Sequence, residues 1–267
     1  MSYTQIRKII AAGTVLGLVI APVAAQAVPI QFSGSAGGLA ASATFDVIGS
    51  NLQVVLTNTS QADVLVPADV LTGVYFSGLS SASSVSAMLT SGSTVIQDTP
   101  PVGGIVGGEW ALGTGLSAPG GATAFISSTG AGSFVGQPTF PGDNLSGPVS
   151  VNGLQYGLVS AGDNSSTGNG GVSGADGLID NSVTFLLGNL PSGFSLAGIG
   201  NVSFQYGTSL SEPIIPSTGN CPGGGIFPNC SAQNPGPGPV ILTPEPMSLA
   251  LLGTAMVGLG LIRRRRR

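Results

Sequence analysis

Residues 39–58 read LAASATFDVIGSNLQVVLTN. From Ala41 to Val47, and again from Leu52 to Leu56, apolar side chains recur at about every second position. Successive side chains of a strand point to opposite faces, so this period describes a ribbon with one buried and one wetted side. Gly49-Ser50-Asn51 lies between the two runs and supplies a hairpin turn. Outward from this hairpin the same grammar continues in DVLTGVYFSG, SVSAMLTSG, ATAFISSTG, LQYGLVSAG, SVTFLLGNL and NVSFQYG. Each run is short and bounded by Gly, Ser, Asn or Pro, and none shows a capped 3.6-residue period. The expected class is all-β, a β-sandwich or jelly-roll-like ectodomain.

Two stretches interrupt the rhythm. TPPVGGIVGGEWALGTGLSAPGG, residues 99–121, reads as a glycine-rich loop around Trp110, the single tryptophan, for which core packing is the expected role. SAGDNSSTGNGGVSGADGLIDN, residues 160–181, reads as a polar, acidic loop. Beyond Glu212 the chain becomes rich in Pro and Gly, which disfavours packing and predicts an extended spacer over 213–243. Within it Cys221 and Cys230 are spaced to close a short loop in an oxidising compartment. By chain-entropy reasoning such a bond stabilises by about 2–3 kcal/mol.

Charge is distributed in an unusual way. The seven basic residues are Arg7, Lys8 and Arg263 to Arg267, and no Lys, Arg or His occurs from Ile9 to Ile262. The eleven acidic residues therefore have no cationic side chain to pair with in the body. Nucleic-acid binding by counterion release is excluded for such a surface. Without His, Lys or Arg the usual triads, Schiff bases and phosphate clamps are excluded as well, and no enzymatic activity is expected. The remaining catalytic scheme is a carboxylate pair of the glycosidase kind. Glu109, beside Trp110, is its best acid, with Asp143, Asp163, Asp176 or Asp180 as partner. The same carboxylates admit another reading. Asp163, Asp176 and Asp180, with Asn164 and Asn181 close by, offer hard oxygen ligands to calcium, although their spacing is not that of an EF-hand. Asx-turns, in which these side chains bond the local backbone, account for the same residues.

The basic clusters flank apolar segments at both ends. Arg7 and Lys8 precede the apolar run Ile9 to Ile20, and Ala25-Gln26-Ala27 before Val28 has the A-x-A form of a signal-peptidase site. Residues 1–27 are thus expected to be a cleaved signal peptide. At the other end Pro244-Glu245-Pro246 is followed by an uncharged run, residues 247–262, and then by Arg263, Arg264, Arg265, Arg266 and Arg267. As a helix that run spans ~24 Å at ~1.5 Å per residue, enough for a transmembrane segment when the arginines snorkel. The arginines would remain on the cytoplasmic side and act as a topological stop.

This tripartite order, Pro-Glu-Pro, one apolar helix and terminal arginines, resembles the PEP-CTERM sorting signal of Gram-negative bacterial surface proteins. The resemblance covers residues 244–267. It implies recognition by exosortase, a membrane protease-transpeptidase that cuts near Pro244, Glu245 and Pro246 and releases the ectodomain, residues 28–212, to the cell surface or extracellular matrix. The body, in stretches such as ATFDVIGSNLQVVLTNTS, GGEWALG and NVSFQYGTSLSEP, is similar to exosortase-dependent surface proteins. That likeness implies a location, with a structural or adhesive role among exopolysaccharide, and no chemistry. A carbohydrate- or calcium-binding module is the alternative.

Overall fold

A computed structural model describes residues 28–129, 137–143, 153–173 and 177–218. It is mostly β-sheet, 44% strand against 9% helical, so the all-β expectation holds. Among the described residues no helix is long and apolar enough to cross a membrane. The apolar run 247–262 and the signal segment 1–27 lie outside them.

The chain begins as a meander of β1 (Ile30–Ala36), β2 (Leu39–Ile48) and β3 (Asn51–Asn58). Two-residue loops join them. Gly37 and Gly38 both take positive φ, 60° and 90°, as a type I′ turn requires, and Gly49 (φ 63°) opens the second loop. Ile48 pairs directly with Asn51, so the turn is Gly49-Ser50 and Asn51 already belongs to β3. Along β3 burial alternates strictly. Leu52, Val54 and Leu56 are buried, while Gln53, Val55 and Thr57 are partly exposed.

β4 (Leu71–Ser77) is different, because six consecutive residues from Leu71 to Phe76 are buried. It is followed by β5 (Ser83–Leu89), β6 (Thr94–Ile96), β7 (Ala111–Thr114), β8 (Ala124–Ser127), β9 (Leu158–Val159), β10 (Leu178–Asp180), β11 (Ser182–Gly188), β12 (Gly200–Tyr206) and β13 (Ile214–Pro216). Two sheets result. The first has the order β1-β2-β3-β11-β5. The second runs β13-β12-β4-β9-β10-β6, with β8 pairing both β4 and β7. Among the described residues every strand pairing is antiparallel except β9 with β10.

One hydrophobic cluster takes side chains from both sheets, including Phe45, Leu56 and Phe185 from the first and Val74, Phe76, Ile126 and Phe204 from the second. Phe45 meets Phe76 edge-on at 5.2 Å between ring centroids, which brings the two inner faces into contact. The chain crosses between the sheets at Asn181, the single residue between β10 and β11. Its φ of 84° turns the strand, a conformation that Asn tolerates better than other non-glycine residues. Its N–H donates to the Val159 carbonyl in the second sheet, and its own carbonyl accepts from Asn58 N–H in the first.

Several elements depart from the sequence reading. The glycine-rich stretch around Trp110 contains a strand, β7, and two short 3₁₀ turns, Val102–Gly104 and Gly107–Glu109. Gly113 allows β7 to lie close to Phe125, whose ring would stand 2.0 Å from an added Cβ. LQYGLVSAG yields only the two residues of β9, because Tyr156 turns at φ 55°. At the C-terminal side pairing runs past 212. β13 joins β12, and Thr218 N–H donates to the Ser33 carbonyl of β1. Pro213, just before β13, and Pro216, its last residue, sit at an edge, where a missing donor is tolerated.

Candidate functional site

Of the residues expected to direct processing, only Val28 is among the described ones, and it is 77% exposed. Ala25 and Ala27, Pro244 to Pro246, Arg263 to Arg267, and Cys221 with Cys230 lie outside the described residues. Geometry therefore bears on the body alone.

Trp110 is fully buried and meets Phe185 edge-on at 4.9 Å, the core role expected of it. Glu109 ends the 3₁₀ turn Gly107–Glu109 and is also fully buried. That turn is tight: an added Cβ at Gly107 would stand 2.0 Å from the Pro141 carbonyl oxygen. Neither side chain offers a surface on which a sugar ring can stack, which is what a Glu109–Trp110 glycosidase subsite requires. Glu109 and Asp143 nevertheless meet electrostatically at Tyr156. Burial pushes the Tyr156 hydroxyl up to about 12, and the charges of Asp143, Asp98 and Glu109 act in the same direction.

The acidic loop is organised around a residue that sequence reasoning did not single out. Asp63, just after β3, accepts hydrogen bonds from Asn164 N–H (2.9 Å) and from the Thr167 hydroxyl. Asp163 reciprocates by accepting from Val64 N–H at 3.0 Å. Ser160 Oγ donates to the Ala62 carbonyl, and Asn169 N–H donates to that of Leu65. Two loops about a hundred residues apart in sequence are thus laced together. The Thr167 hydroxyl and the Asn164 amide hold the Asp63 carboxyl below its usual range. Desolvation raises that of Asp163, and the neighbouring charges of Asp63 and Asp180 add to the effect. Desolvation likewise raises Asp180.

Of the three candidate calcium ligands, Asp163 and Asp180 are within electrostatic reach of one another, while Asp176 lies outside the described residues. Among the described residues no group of three His, Cys, Asp or Glu side chains is placed to hold a metal ion. The Asx-turn reading holds for Asn164 and not for Asp163, whose carboxylate accepts from the N–H of Val64, 99 residues away; Asn169 adds a turn of the same kind. Asn164 Oδ1 accepts from Ser166 N–H at 3.2 Å, and Asn169 Oδ1 accepts from Gly171 N–H at 3.0 Å. No hint of the Asp63 contact is visible locally, since its partners Asn164 and Thr167 are 101 and 104 residues away.

No protein-family profile, curated protein or solved structure matches this chain.

Proposed function

We propose that the protein is an exported surface or extracellular-matrix component of a Gram-negative bacterium, with a structural or adhesive role. The observation that carries this reading is the segregation of charge. All seven basic residues flank the two apolar terminal segments, and the body between them has none. A chain read by translocation machinery needs its positive charges there, and fold stability does not call for that arrangement. In this reading signal peptidase cleaves before Val28, residues 247–262 insert as a transient transmembrane helix, and exosortase cuts near Pro244-Glu245-Pro246. The folded body is a β-sandwich that leaves the membrane after the cut. Its surface, acidic and without cations, suits an extracellular location and not a nucleic acid.

Intact mass of the protein recovered from the native cell surface tests this reading, beside a variant with Pro244, Glu245 and Pro246 changed to Ala. The expected mature species begins near Val28 and ends near the triplet, and the variant does not yield it. Recovery of a wild-type species that keeps Arg263 to Arg267 in the inner membrane would sink the exosortase assignment and leave a tail-anchored ectodomain.

A further inference from the structure

Asn169 and Gly170 form an Asn-Gly pair in the acidic loop, and both are exposed. The chain around them is docked through its backbone. Asn169 N–H donates to the Leu65 carbonyl at 3.0 Å. Gly168, at φ 91°, lies so near the chain below it that an added Cβ would stand 3.1 Å from the Val64 carbonyl oxygen. At Gly171 an added Cβ would stand 2.6 Å from the Pro67 ring. Val172 belongs to the buried cluster that includes Val64, Val70 and Val159. Residues 168–172 thus sit as a clip on residues 64–67.

The hydrogen bonds of the clip converge on this pair. Gly170 nitrogen is acylated by the Asn169 carbonyl, so when it loses its proton the charge is shared with that carbonyl oxygen. The same oxygen accepts three hydrogen bonds, from Val172 N–H (3.0 Å), Ser173 N–H (2.9 Å) and Ser173 Oγ (2.9 Å). Asn169 Oδ1, on the carbon that Gly170 nitrogen can attack, accepts from Gly171 N–H at 3.0 Å. Donors therefore stand where charge develops on both reacting groups, as in an oxyanion hole. Asn164 repeats the arrangement: its Oδ1 accepts from Ser166 N–H, and its carbonyl accepts from Thr167 N–H and Thr167 Oγ1. The residue after it is Ser165, whose side chain hinders approach to Cγ, whereas Gly170 has no β-carbon.

We propose that Asn169-Gly170 is a self-modifying site, at which Asn169 converts to aspartate and isoaspartate and the clip on residues 64–67 is released. Gly170 nitrogen gives its proton to solvent and bonds to Asn169 Cγ. The Cγ–Nδ2 bond breaks, ammonia leaves, and a succinimide ring remains. Water then opens the ring at Cγ to give aspartate, or at the backbone carbonyl to give isoaspartate. Water is the one co-reactant, so the reaction is the same wherever the protein resides. In isoaspartate the main chain runs through the side chain and gains a methylene between Asn169 and Gly170. With Asn169 N–H held by Leu65, Gly171 and Val172 can then no longer keep their seats. Both products add a carboxylate beside Asp63 and Asp163, in a body without cations.

Peptide mapping by mass spectrometry of the purified protein, aged in warm neutral buffer, tests this, since deamidation adds about one dalton to the fragment holding Asn169. Isoaspartate at Asn169 is expected to accumulate well ahead of any change at Asn164. Ser173→Ala removes one donor from the Asn169 carbonyl. It is expected to slow conversion about fivefold in the folded protein and to leave the rate in urea unchanged. Gly170→Ala, at a position where an added Cβ meets no atom within 4 Å, is expected to suppress conversion. Hydrogen exchange at the Val172 amide is expected to quicken in the aged wild type and to stay constant in aged Gly170→Ala. Intact Asn169 after ageing, an equal folded-state rate in Ser173→Ala, or an unchanged Val172 amide in the isoaspartyl form overturns the proposal. None of these readings depends on processing at Pro244-Glu245-Pro246.

Discussion

The two sheets share a core but differ on their outer sides. The outer side of the first is bare: Gln31, Ser33, Thr44, Asp46, Gln53, Thr57 and Thr184 look away from the core. The outer side of the second is covered. Tyr75, Ala111, Ala122 and Phe125 form one satellite cluster beneath Leu116 and Ala118, and Val64, Val70, Leu154, Val159, Val172 and Leu178 form another. A strand buried on one side must alternate, and a strand buried on both sides must be apolar throughout. β3 and β4 are the two cases within one chain. The difference arises from the long loops, whose glycine-rich and acidic sequences serve as the second sheet's outer layer.

Paired truncations break this comparison most directly. In β4, Tyr75 and Phe76 point to opposite sides and both are fully buried. Phe76→Ala is expected to cost about 3–5 kcal/mol and Tyr75→Ala a similar amount. In β3, Leu56→Ala should cost about 2–5 kcal/mol, while Thr57→Ala next to it stays within about 0.5 kcal/mol. Chemical denaturation of the four variants reads these values. A small loss at Tyr75 would mean that the outer layer does not pack as described.

Alkaline pH sharpens the same contrast. Burial on the covered side pushes the Tyr75 hydroxyl up to about 12. Its folded value is raised, so the stabilisation it gives is complete below the unfolded value of ~10 and is lost as pH climbs from there toward about 12. Unfolding free energy is expected to fall by about 2–3 kcal/mol across that window on account of Tyr75. Denaturation midpoints in Tyr75→Phe should be flatter over the same window, at a cost near neutrality of about 1 kcal/mol for the lost bond to Gln205 Oε1. Identical pH profiles for the two proteins would remove Tyr75 as the source.

The smallest expected effect is at the crossing between the sheets. Asn181→Gly should change stability by a few tenths of a kcal/mol, whereas Asn181→Val should cost about 1–2 kcal/mol, since a β-branched residue resists positive φ. Thermal midpoints of the two variants make the check. Equal midpoints would show that the corner carries no conformational demand.

The sequence made some of this legible for a physical reason. β2, β3, β11 and β12 each carry an alternation long enough to declare a period, β4 shows as an unbroken run bounded by turn residues, and Gly49 marks its own turn. β7 and β13 were hidden because Gly113, Pro213 and Pro216 argue locally against strands, and only pairing with β8 and β12 overrides them. β10 is three residues long, too few for any period. The Asp63 network joins segments far apart in sequence, and no local pattern announces a contact between them. Trp110 could be assigned to the core from its rarity and setting alone. The burial of Glu109 beside it could not.

The one-residue corner at Asn181 also bears on how the molecule comes apart. Its N–H is held by one sheet and its carbonyl by the other, and Asn58 Nδ2 donates to the Leu158 carbonyl beside it at 3.0 Å. Opening either sheet at this point pulls on backbone bonds of its neighbour. Amide protons of β3, β9 and β11 should therefore exchange as a single cooperative unit with the global unfolding free energy, and not as two separable foldons.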